Sequence, residues 1–398
     1  IMNISDEILN RIKKVVRKSN NFDKVSIHEP SFKDSNAIKY ITECIDSGWV
    51  SSSGKWVSNF ENQIAEFTGV KYAIAVSNGT VALRLALYLV GVRSNDEVLI
   101  PPLSFVATAN AVSHLGAKPH FIDIDSDTLA ICPNALDKRI EEVANFKGSE
   151  IYNKFSGRKI SAVVPVHIFG MPAKINEIKE VCDKWKIPLV EDAAEALGSK
   201  IICKNKFIHC GSVGEIGTLS FNGNKVITTG GGGALLTNKK NLADLAKHLS
   251  TTAKVNHNWD FYHDQIAWND RMPNLNAALG SSQIEKIDIK LRKKRVLQSR
   301  FVEAFKDIEE VEIMKETKNS ISNYWLITIR LNTKNPAKLR HEILHNSHIS
   351  NIFLRPSWTL LNQLPMYKNS SCGNLSQAEN QSQRLINLPS SPQLIKDF

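Results

Sequence analysis

The run Gly217-Thr218-Leu219-Ser220-Phe221-Asn222-Gly223-Asn224-Lys225 leads, through Val226-Ile227-Thr228-Thr229, into four consecutive glycines, Gly230 to Gly233, and then into Ala234-Leu235-Leu236-Thr237. Two short apolar stretches, residues 217–221 and 234–237, flank a turn of small and polar residues. This spacing predicts two strands with a lysine just past the exit of the first. In open α/β sheets ligands bind in the crevice outside the strand ends, and a lysine there can direct its amine into that crevice. Such an amine condenses with carbonyls to form a Schiff base. A phosphate-binding loop is the competing reading. It needs G-x-x-x-x-G-K-[ST], whereas Lys225 is followed by Val226 and the glycines come after it.

Upstream lies Val190-Glu191-Asp192-Ala193-Ala194-Glu195-Ala196-Leu197-Gly198, in which Asp192 stands where an apolar strand ends and small residues follow. Pyridoxal phosphate (PLP) is an electron sink only while its ring nitrogen stays protonated, and a carboxylate in a poorly solvated spot keeps it so by charge pairing. Taken alone, Asp192 could equally cap a helix. Further upstream, Ser77-Asn78-Gly79-Thr80 falls between a strand and a helix start, where free N–H groups and the helix dipole favour an anion. A plain capped turn is the alternative there. Phe105, in Leu103-Ser104-Phe105-Val106-Ala107-Thr108, follows another strand end and could lay its ring on a flat ligand or simply fill the core. Each element is ambiguous by itself. Their order along one chain (anion turn, aromatic, aspartate, lysine) points to a PLP site.

The remaining pattern alternates strands and helices as a parallel sheet requires. Strands are expected at 72–76, 97–100, 121–124, 162–166 and 188–192, with helices at 80–90, 106–115 and 175–185. Residues 144–160 read as a polar, irregular surface loop. After about residue 285 the texture changes to a long basic helix, a strand over 323–331 and a polar C-terminal stretch, which suggests a smaller second lobe.

Of the 398 residues 42% are hydrophobic, enough for a sizeable core. No apolar run is long enough to span a bilayer, so no membrane partner and a cytoplasmic location are expected. The six cysteines show no CxxC pair and no histidine at metal spacing, so reduced thiols are expected and no metal. The net charge of +10 gathers partly at Arg11-Ile12-Lys13-Lys14 through Arg17-Lys18 and at Arg292-Lys293-Lys294-Arg295. Nucleic-acid binding is the alternative class this raises. Apolar residues recur between the charges, however, and no aromatic-and-basic motif accompanies them, so both clusters read as solvated helix faces and no nucleic-acid partner is expected.

With these motifs in hand, the sequence resembles the DegT/StrS-type sugar aminotransferases, a branch of the fold type I PLP enzymes, from about Phe22 to Pro392. Gly48-Trp49-Val50-Ser51-Ser52-Ser53-Gly54 is similar to the family's N-terminal signature, and Pro165-Val166-His167-Ile168-Phe169-Gly170 to a central strand and loop. Trp268-Asn269-Asp270-Arg271-Met272-Pro273-Asn274 resembles its Asn-Tyr-Arg-Met segment, with Asp270 in place of the usual tyrosine. The resemblance implies an α/β, aspartate-aminotransferase-like fold. A mostly parallel central sheet of the seven-stranded type would form a large domain, residues 25–275, joined to a smaller α+β C-terminal domain, 276–398, with an N-terminal arm, 1–24.

It also implies roles. Lys225 would carry PLP and move the proton, and Asp192 would pair with the ring nitrogen. Glu195 would lie near the ring hydroxyl, where many relatives have Gln or His. Asn78, Gly79, Thr80 and Ser220 would hold the phosphate and Phe105 would stack on the ring. Asn269 would reach the cofactor of a neighbouring subunit in a homodimer with shared sites. Ser51, His167, Asn224, Arg271 and Arg355 are the expected substrate contacts. L-Glutamate would give its amino group to the cofactor, which passes it to the ketone of a nucleotide-linked keto-sugar.

The family's dehydratases carry histidine at the lysine position, so Lys225 argues against that reading. Ile27-His28-Glu29-Pro30-Ser31-Phe32, Arg355-Pro356-Ser357-Trp358 and Leu364-Pro365-Met366-Tyr367 resemble the subgroup acting on UDP-linked 2-acetamido-4-keto-6-deoxy sugars. Perosamine synthases, which use a GDP-linked 4-keto-6-deoxymannose and share Glu at position 195, are the rival.

Overall fold

The computed structural model describes residues 3–17 and 24–396. Lys18 of the first basic cluster and Phe22, where the family likeness starts, lie outside the described residues. Strand Ile216–Ser220 runs parallel to Val190–Asp192, with Thr218 opposite Asp192, and antiparallel to Gly233–Thr237, with Ser220 opposite Gly233. Gly233–Thr237 pairs in turn with Tyr72–Val76. Strands Ile160–Val163, Glu97–Ile100 and Lys118–Phe121 are mutually parallel. Bridges between Val163 and Leu189 and between Val166 and Asp192 join the two sets. One sheet results, in the order 72–76, 233–237, 216–220, 190–192, 160–163, 97–100, 118–121, 371–372, and among these only 233–237 runs against the rest.

These strands are apolar on both faces because helices cover both sides. Leu83, Ala86 and Leu87 of helix Gly79–Leu89 pack on one face with Val98 and Ile100, and Phe60, Ala277 and Ala278 pack on the other with Leu219 and Leu236. Since the parallel strands share one direction, the ends at Val76, Asp192 and Ser220 open on the same edge.

A second, antiparallel sheet gathers Val311–Ile313, Thr328–Leu331, Leu385–Asn387 and Arg355–Pro356. Helices Ile287–Phe305 and Pro336–Ile349 cover it. Helix Ile4–Arg17 buries Ile8, Ile12 and Val16 in the same core, so the basic face of that helix is the solvated side of an amphipathic element. Among the described residues no helix is long and apolar enough to cross a membrane.

Three expectations are corrected. Residues 144–160 contain a hairpin, Ala144–Lys147 paired with Glu150–Asn153 around Gly148 at φ 62°. Its first strand is largely exposed, so it carries no apolar alternation to betray it. The strand expected at 121–124 lies at Lys118–Phe121, disguised by Pro119 and by His120, whose buried ring bonds Glu97 at 2.8 Å. The strand expected at 323–331 begins only at Thr328, because Tyr324 turns left-handed (φ 48°) and the Asn323 side chain takes the Trp325 N–H at 2.7 Å.

Candidate active site

Asp192, at the end of its strand, is buried and accepts hydrogen bonds from Thr108 Oγ1 at 2.8 Å and from the Ala194 N–H at 3.2 Å. Thr108 is held in turn by Ser104, four residues earlier in the bend before the helix, at 2.8 Å. Burial pushes the Asp192 carboxyl above its usual range, against the pull of Thr108, Ala194 and the Lys225 charge. A cation placed against it would be strongly favoured.

Lys225 leaves a turn pinned by its own N–H to Asn222 O (3.0 Å) and by Thr228 Oγ1 to Phe221 O (3.1 Å). Its amine sits 3.9 Å above the centre of the Trp325 ring and 3.6 Å from Glu195 Oε1. The ring itself donates from Nε1 to Asn224 O at 2.7 Å, so the platform under the amine is anchored to the residue before the lysine. Glu195 accepts the Phe169 N–H at 2.6 Å, delivered by a backbone held at φ 57°. Burial raises its carboxyl to about 7 even though Lys225 opposes the shift.

At the opposite end, Asn78 Oδ1 caps helix Gly79–Leu89 through the Val81 N–H at 2.9 Å. A Cβ on Gly79 would lie 2.8 Å from Ser220 Cβ, so only glycine lets the helix start meet the strand end this closely. The Thr80 and Ser220 side chains flank that helix start, with the dipole's positive end behind them.

Asn78, Gly79, Thr80, Phe105, Asp192, Glu195, Ser220, Asn224, Lys225 and Arg355 all line one cavity of about 280 Å³. Four expected residues do not. His167 is fully buried: its Nε2 bonds Glu191 at 2.9 Å and its Nδ1 lies 3.0 Å from the Ala173 N. Both ring nitrogens are thus engaged within the fold and not in the cavity. Burial alone would raise the Glu191 carboxyl, but the bonds from His167, Gly211 and Gly214 outweigh it and hold the group low.

Ser51 is exposed and offers its carbonyl to the Asn274 N–H at 2.7 Å. Asn269 is exposed and Arg271 partly so; they bond each other at 3.3 Å beside the chain's own Ser77 turn. Asp270 pairs with Arg84, whose guanidinium lies 4.5 Å above the Trp268 ring, which accounts for an acid at that position. Thr108, Trp325, Trp358 and the Phe169 backbone also shape the site without having been expected there. Of these only the Ser104-x-x-x-Thr108 pair of hydroxyls beside a strand end is visible in the sequence.

A buried carboxylate, a lysine amine and an anion-favouring helix start around a cavity this size fit PLP, with its ring nitrogen, aldehyde and phosphate. The sheet order and this cavity define a PLP-dependent enzyme of fold type I. The chain belongs to the DegT/DnrJ/EryC1/StrS aminotransferase family, which it matches over residues 32–397. It is 35% identical over 370 residues to the GDP-perosamine synthase of Escherichia coli O157:H7, covering 93% of this chain and 94% of that one. It is 34% identical over 374 residues to that of Vibrio cholerae, covering 94% and 95%. Among solved structures it is similar to Helicobacter pylori PseC, an aminotransferase involved in the biosynthesis of pseudoaminic acid (TM-score 0.83, 26% identity, 94% and 95% covered). The aminotransferase TlmJ of Streptoalloteichus hindustanus is comparable (TM-score 0.82, 25% identity, 94% and 95% covered). The enzyme is thus a PLP-dependent aminotransferase.

Proposed function

We propose that the enzyme moves an amino group from L-glutamate to the 4-keto carbon of a nucleotide-linked 4-keto-6-deoxy sugar. The observation that carries this is the shared cavity of Lys225 and Asp192 inside a DegT/DnrJ/EryC1/StrS fold. Bound PLP supplies a carbonyl that accepts the amino group and a cationic ring that draws electrons from it. Asp192, oriented by Thr108, would hold a proton on the ring nitrogen. Gly79, Thr80 and Ser220 would hold the phosphate, and Phe105 would lie against the ring. Lys225 would anchor the cofactor, and its Nζ, on the Trp325 platform, would take up and return a proton. Arg355, at the exposed rim, meets the diphosphate or the donor's carboxylate, for which a guanidinium fork is suited.

The UDP-linked 2-acetamido sugar is the favoured substrate. Segment 355–358, which carries that likeness, contributes Arg355 and Trp358 to the cavity wall, and Trp358, backed by the buried Phe169 ring at 5.2 Å, offers an apolar surface for an acetamido or 6-methyl group. A GDP-linked 4-keto-6-deoxymannose is the second reading, supported by the two GDP-perosamine synthases and by Glu195. Incubation with L-glutamate and each nucleotide keto-sugar in turn, with 2-oxoglutarate assayed and the sugar product weighed by mass spectrometry, tests both. Turnover with the UDP sugar is expected. Turnover with the GDP sugar alone replaces the first reading by the second, and turnover with neither contradicts both.

A further inference from the structure

A separate cleft of about 590 Å³ lies outside the cofactor cavity and shares none of its lining residues. Among the described residues Lys33, Lys286, Lys290, Lys293 and Lys396 line it together with one carboxylate, that of Asp34. Lys286, Lys290 and Lys293 fall at the i, i+4 and i+7 positions of one face, beginning at the N-cap of helix Ile287–Phe305. Like charges at that spacing repel one another, and cations at a helix N-terminus also oppose its dipole. Asp288 in the first turn is the local acid. Among the described residues no carboxylate forms an ion pair with Lys33, Lys286 or Lys293.

Lys290 is only 8% exposed, yet its ammonium has neutral partners alone, Gln283 Oε1 at 2.6 Å and Ser31 O at 3.3 Å. Burial without a counter-ion lowers it to about 8. The fold thus brings Lys33, Lys286, Lys290 and Lys293 to one cleft with no carboxylate paired to any of these four among the described residues, an arrangement that a bound anion relieves.

We propose that this cleft is an anion site for a diphosphate group, distinct from the phosphate turn that serves the cofactor. Two sources share that chemistry: the diphosphate of a nucleotide-sugar, or a free di- or polyphosphate. Calorimetric titration of the PLP-loaded enzyme with inorganic pyrophosphate tests the site without reference to turnover. Saturable binding is expected, weakening as salt rises. The double variant K286Q/K293Q should weaken it at least about tenfold and K33Q less, with circular dichroism verifying each fold. Absence of binding, or equal affinity in wild type and both variants, overturns the proposal. A raised KM for the nucleotide-sugar in K286Q/K293Q assigns the site to the substrate's diphosphate, whereas an unchanged KM with pyrophosphate binding lost assigns it to a free anion; either outcome supports the site.

Discussion

At the scale of single residues, Asp192 is set up by its neighbours. Thr108 supplies a hydrogen bond to an otherwise desolvated carboxylate, and a lost bond to a buried charged group costs about 1–3 kcal/mol. Thr108→Val should therefore cut kcat by about tenfold while Asp192→Asn cuts it by a hundredfold or more, on the scale of removing one oriented charge partner. Steady-state kinetics separates the two, and equal effects would mean that Thr108 does more than orient the acid.

Glu195 titrates differently from an ordinary carboxylate. Its pKa in the folded protein is about 7 against 4.5, so between those values the folded state binds the extra proton and its contribution to stability falls as pH rises. Glu195→Gln should remove that decline. Urea unfolding of the cofactor-free protein across the same pH window reads it, and parallel curves for wild type and variant would contradict the account.

Much at this scale was legible in the sequence. Lys225, Asp192 and Gly79 stand at strand and helix ends, where local pattern reveals them. Trp325 was not legible, since its role depends on a left-handed turn at Tyr324 that no periodicity encodes. His167 misled for a related reason: its backbone N–H bonds Asp192 O at 3.0 Å, so it neighbours the site while its ring points its bonds elsewhere.

Among the elements, the close approach of helix Gly79–Leu89 to strand Ile216–Ser220 decides the anion end of the cavity. Gly79→Ala puts a methyl against Ser220, an overpacking worth about 1–3 kcal/mol. Dissociation of PLP, followed by absorbance under dilution, should become about tenfold or more easier, with the secondary structure unchanged. Unaltered retention of PLP would show that the helix start does not hold the phosphate. The parallel strands other than Lys118–Phe121, and the helix Ile175–Trp185, were readable because buried strands run continuously apolar and helices repeat every three to four residues. The hairpin at 144–153 was not, because a solvated strand pair presents neither signal.

For the whole molecule, large apolar side chains remain exposed on one stretch: Trp259 at 73%, Phe261 at 80% and Ile266 at 92%. A monomer rarely leaves such a surface in water. Together with the expected reach of Asn269 toward a neighbour's cofactor, this predicts a homodimer in solution. Sedimentation velocity should give a dimer for the wild type and a shift toward monomer, with lower activity, for the W259S/F261S variant. A wild-type monomer with full turnover would contradict shared sites.

Everything else depends on the amine at position 225 holding the cofactor. Borohydride reduction of the yellow holoenzyme, followed by peptide mass spectrometry, reads this out. A pyridoxyl-phosphate adduct on the peptide containing Lys225 is expected, with bleaching of the visible band. An adduct on any other lysine, or none at all, would contradict it.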